Sequence, residues 1–166
     1  MATYQSPLAV VIKGALAGAA GTAAMNAFLE QAPALMERVG LATARPPTPP
    51  AKPTRRGSAT EEVVEEATAL APDEAKHAGG LLHWAYGSGW GAYYAVIQST
   101  FRLPTLLHGT WLSGLMTVVA VRVIPAVGLA PAPRTRDQMI VTGASHMVFG
   151  WTTAIVYSIL NFGRRG

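Results

Sequence analysis

Four long stretches of this chain carry no formal charge, and they limit what it can fold into. With histidine counted as neutral, Gly14–Leu29 is uncharged over 16 residues, His77–Phe101 over 25, Leu103–Val121 over 19 and Gln138–Gly163 over 26. A hydrocarbon layer of about 30 Å is crossed by about 20 helical residues. Three of the runs reach or approach that length. The first does so if Lys13 snorkels to the interface, because apolar sequence already begins at Leu8. The expected fold is an all-α membrane protein with four transmembrane helices, at about 7–30, 78–101, 104–124 and 138–162, in one integral membrane domain over 1–166. Only 13% of residues are charged, against about 25% in a soluble domain.

The start of the chain lacks the basic region of a cleaved leader, and its one lysine falls inside the apolar run, so the first helix is expected to stay. There is no cysteine, which excludes disulfides, thiol catalysis and thiolate metal sites. The net charge is +4. The basic residues lie in loops while the aromatics lie in apolar runs, so the balance reads as membrane-flanking charge and not as nucleic-acid binding. The lysine and arginine bias places the first and third loops in the cytoplasm.

Ser6-Pro7 has the form of an N-cap followed by proline at the first helical position. A polar loop spans 42–77, and its 42–57 part holds five prolines in an extended connector. Ser58 and Glu61 then have capping-box spacing, which predicts a short acidic helix at about 59–71. Glu61, Glu62, Glu65 and Glu66 read as its wet face and not as a metal site, since no calcium loop accompanies them. Pro72-Asp73-Glu74 opens the next helix, and Arg102-Leu103-Pro104 marks a tight turn.

Small residues recur at helical spacing. Gly14 and Gly18 form a GxxxG that Ala17 and Gly21 continue, and Gly87 and Gly91 form another. Without side chains in the way, two helix backbones can approach closely in lipid, within this chain or between copies. The two halves also echo each other. Val39-Gly40-Leu41-Ala42 matches Val127-Gly128-Leu129-Ala130, and each is followed by a helix with His-x-x-aromatic-Gly, at His83 and at His146. A helix-loop-helix unit present twice has an even number of crossings, so its halves share one membrane orientation and relate about the membrane normal. Counted along their helices, His83 is about five residues deep and His146 about eight, or roughly 8–12 Å at 1.5 Å per residue.

Ionisable groups inside a membrane helix are costly, which makes His83 and His146 the candidate polar site. The leading expectation is that each ring fixes helix packing through a local hydrogen bond. The alternatives are proton or small-solute transport along the pair and, less favoured, a haem held between them. Neither a cofactor nor a metal is expected. Asn26, Gln98 and Ser113 are polar contacts between helices, Arg122 reaches the headgroups, and His108 is expected at the interface with no chemistry. Ser88 in Gly87-Ser88-Gly89 lacks a nucleophile elbow, and no membrane helix carries an acidic residue in its interior, so no enzymic role is expected.

Taken together, GALAGAAGTAAMNAFLE, the proline-rich loop, HWAYGSGWGAYYAV, the IPAVGLAP turn and HMVFGW resemble the YagU-like family of small bacterial inner-membrane proteins. The resemblance covers nearly the whole chain. It implies a multi-pass protein of the inner membrane, loosely linked to acid or envelope-stress tolerance, and carries over no catalytic residues. The expected mode of action is helix–helix interaction with the bilayer as solvent, by self-association or as an accessory subunit of a larger membrane complex.

Overall fold

The computed structural model describes residues 6–38, 40, 72–128 and 132–162. The proline-rich connector at 42–57 and the acidic helix expected at about 59–71 lie outside them. Among the described residues there are four helices and no strand: α1 (Pro7–Arg38), α2 (Pro72–Phe101), α3 (Thr105–Ala126) and α4 (Arg136–Leu160). Three of these, α1, α3 and α4, are long and apolar enough to cross a membrane. α2 has the length, at 30 residues, but is less apolar. Its tyrosines, serines and Gln98 dilute the run that looked continuous when only charge was counted.

The helix ends follow local chemistry. Ser6 Oγ accepts the Ala9 amide at 3.2 Å, capping α1 ahead of Pro7. α1 then runs through Pro33 to Arg38, past the end expected near residue 30. A proline removes one backbone donor, and the extension still buries Ala32 and Met36. α4 starts earlier than expected because Thr135 and Gln138 form a full capping box. α3 widens into a π-turn at Val119–Val123, just before Pro125, which has no N–H to offer the turn above it. Gly40 (φ 69°) and Gly128 (φ 76°) follow α1 and α3 in the left-handed conformation that ends helices.

The helices form a curved row in which α1 packs on α2 and α4, and α4 packs on α3. α1 is antiparallel to α2, since Gly14 lies against Ala92 while Asn26 meets His83. It is also antiparallel to α4, since Lys13 meets Asn161 while Gly21 meets Phe149. α2 and α3 close the row at its ends and touch through side chains such as Tyr94 and His108. Tyr94, Leu112, Phe149, Ala17, Ala95 and Ala154 form the sealed core.

Candidate functional site

The predicted packing glycines are consumed inside the fold. A Cβ on Gly14 would stand 2.6 Å from the Gly91 carbonyl oxygen, and one on Gly18 would stand 2.8 Å from Gly91 Cα. A Cβ on Gly87 would strike the Thr22 hydroxyl, and one on Gly21 would lie 2.9 Å from the Phe149 carbonyl oxygen. Gly14, Gly18, Gly87 and Gly91 thus make the α1–α2 seam, and Gly21 sits on α4. A second seam, without a GxxxG to mark it in the sequence, joins α3 and α4. A Cβ on Gly109 of α3 would be 2.9 Å from the Gly150 carbonyl oxygen of α4. These contacts place backbone against backbone, where lipid-embedded helices gain most from dispersion.

Hydroxyls in these helices are largely satisfied within their own helix. Thr22 donates to the Gly18 carbonyl at 3.0 Å, Ser113 to Gly109 at 2.7 Å and Thr117 to Ser113 at 2.8 Å. Ser113, expected as an interhelical contact, therefore spends its proton locally, although its hydroxyl abuts Gly150.

The two candidate histidines have separate partners. His83 Nε2 donates to Asn26 Oδ1 of α1 at 3.1 Å and is half-buried. His146 is buried, and its Nδ1 donates to the Thr142 carbonyl one turn earlier at 2.8 Å. Asn26 serves as the interhelical contact expected of it, with His83 as the donor.

His108, near the start of α3, is sealed between helices and 0% exposed. It stacks on Tyr94 with centroids 4.2 Å apart and lies tilted against Trp111 at 5.8 Å. Gln98 reaches over from α2. Its amide nitrogen donates to the Leu103 carbonyl at 2.7 Å, which turns its oxygen toward His108 Nδ1, 2.6 Å away. Nδ1 therefore carries the proton, and in the neutral ring Nε2 is an acceptor. That Nε2 and Thr153 Oγ1 are the two buried polar side-chain atoms without a partner among the described residues. The only sequence signal for this site was the pair Gln98 and His108 flanking a tight turn.

At the same end of the bundle Lys13 Nζ donates to Asn161 Oδ1 at 3.0 Å, and Asn161 Nδ2 donates to the Tyr157 carbonyl at 2.8 Å. Among the described residues no three His, Cys, Asp or Glu side chains gather as a metal site.

Outside the core, an aromatic series runs along α2 and onto α3. Tyr86 meets Trp90 edge-on at 6.0 Å, Trp90 meets Tyr93 at 5.6 Å, and Tyr93 stacks on Trp111 at 6.2 Å. Tyr86, Gly89, Trp90, Tyr93 and Leu115 line an open groove of about 470 Å³ between α2 and α3. Comparison with family models, with curated proteins and with solved structures finds no match for this chain.

Proposed function

We propose that this chain is a four-crossing protein of the bacterial inner membrane that acts through helix–helix contact, as a self-associating unit or as an accessory subunit of a membrane complex. The observation that carries this reading is the closed interior. Tyr94, Phe149, Leu112 and His108 are fully buried, and the seams bring helix backbones into contact at six glycines. Packing of that kind leaves the lipid-facing surface, not an internal path, as the place where the protein meets other molecules. α2 is read as the fourth crossing, and its antiparallel seam with α1, from Asn26 to Gly14, supports that reading. Three apolar helices support a membrane location. The YagU-like affiliation, the inner membrane and the link to acid or envelope stress rest on the sequence resemblance alone.

A tandem duplication is part of this reading. Tyr94 and Tyr157, both buried, stand eleven residues beyond His83 and His146. Gln98 and Asn161 stand fifteen residues beyond, and each engages a group, His108 or Lys13, that directly precedes a seam glycine. Gly40 and Gly128 share their backbone conformation.

Transport by His83 and His146, and haem binding between them, are the weaker readings, because each ring is held by its own partner. Extraction in mild detergent followed by native mass measurement tests the proposal. The expected result is a species heavier than one chain. Proton flux in proteoliposomes that vanishes in the His83→Ala/His146→Ala double variant would overturn it in favour of transport, and a Soret band in the purified protein would favour haem.

A further inference from the structure

α2 is oddly placed for a membrane protein. It is the least apolar of the four helices, yet it stands at the end of the row, packed closely on α1, lightly on α4, and on α3 through side chains near one end. Its outward side shows Ala85, Tyr86, Gly89 and Tyr93, with half-buried Trp90 between them. Leu115, the middle of α3, closes the groove, so this surface lies at mid-height. Tyrosine and tryptophan in membrane helices normally sit at the two interfaces, where the hydroxyl or indole N–H meets water. Here two phenols and an indole lie near the centre of a crossing, and none makes a hydrogen bond with the described residues. Hydrocarbon offers them no acceptor.

The same surface is open to close approach. Gly89 of α2 and Gly114 of α3 meet nothing within 4 Å, whereas the seam glycines are all in contact. An occupant must therefore bring acceptors to mid-height and fit closely over Gly89. A lipid chain brings no acceptor. A second copy of this chain brings both. In an isologous contact each tyrosine hydroxyl is donor and acceptor for its counterpart, so each copy supplies what the other lacks. Ala85 and Gly89 add the small-xxx-small spacing that lets two copies of one helix approach. We propose that the α2 face bearing Ala85, Tyr86, Gly89 and Tyr93 is a homodimer interface, where two copies cover each other's least apolar helix. This rests on the four-crossing reading of the chain.

The absence of cysteine makes single-cysteine crosslinking in native membranes direct. With a short bifunctional thiol reagent, Ala85→Cys and Gly89→Cys are expected to give a covalent dimer of the full chain. Leu16→Cys and Ile155→Cys, at exposed positions of α1 and α4, are expected to give none. Adding Tyr86→Phe and Tyr93→Phe to Gly89→Cys keeps the shape, removes the phenols and should lower dimer yield about tenfold at limiting protein. Equal crosslinking at all four positions, crosslinking only at Leu16 or Ile155, a covalent adduct with a different polypeptide, or no crosslink would each overturn the proposal. Impermeant labelling of Arg38→Cys and Arg102→Cys, which lie on either side of α2 along the chain, separates the two levels. Labelling from opposite sides without an α2 crosslink sinks the dimer alone, while labelling from one side sinks the fourth crossing and the dimer with it.

Discussion

Replacing Gly91 by alanine tests the backbone seam with one carbon atom. A Cβ there would stand 2.5 Å from both Gly18 Cα and Gly18 N, where ordinary contact begins at 3.4 Å. It would also strike the Gly14 carbonyl oxygen. All of these are backbone atoms, so no side chain can swing away, and α1 and α2 must part by roughly 1 Å. A gap of about 0.5–1 Å already forfeits a quarter to a half of each dispersion contact, and overpacking costs about 1–3 kcal/mol. The upper end applies at Gly91, so the folded-to-unfolded ratio should fall about a hundredfold. Gly143→Ala on α4 is the control, since its new methyl meets nothing within 4 Å. Its effect should be neutral or a gain of up to about 1 kcal/mol, the helix preference of alanine over glycine. The assay is equilibrium unfolding in mixed micelles titrated with a denaturing detergent, followed by circular dichroism and tryptophan fluorescence. Equal midpoints for Gly91→Ala and Gly143→Ala would refute the seam.

Three further outcomes follow from the polar contacts. His108→Ala opens a sealed site and strips Gln98 of its donor, so it should cost about 2–4 kcal/mol in the same titration, with a coupling to Gln98→Ala of at least about 0.5 kcal/mol; full additivity would mean the two do not interact. Asn26→Ala removes one half-buried interhelical hydrogen bond and should cost about 0.6 kcal/mol, and a loss as large as that of His108→Ala would contradict the exposure of His83. His83→Ala and His146→Ala share no partner, so their effects should add to within about 0.5 kcal/mol, and a larger coupling measured in the double variant would show that the rings meet.

Much of the fold was legible because its signals are local. Charge-free runs mark the apolar helices, Ser6-Pro7 marks the start of α1, and Pro72 marks the start of α2. The glycine spacing marked faces able to touch, but not what they touch. Gly87 and Gly91 read equally well as contacts for a second copy, and only the placement of α1 over α2 shows them spent within one chain. Likewise α2 looked like any other crossing while charge alone was counted. Its tyrosines, and its seat at the end of the row, are what set it apart.

The sequence by itself determined that this chain buries uncharged helices and that small residues let them pack tightly, since hydropathy and side-chain size belong to each residue. The tertiary structure decided the partners. His83 found Asn26, His146 turned to its own helix, and His108, four residues past a proline turn, became the most buried histidine. That happened because Gln98 and Tyr94 of a neighbouring helix close over it, and contacts between helices depend on rotation and register that no single run of residues encodes.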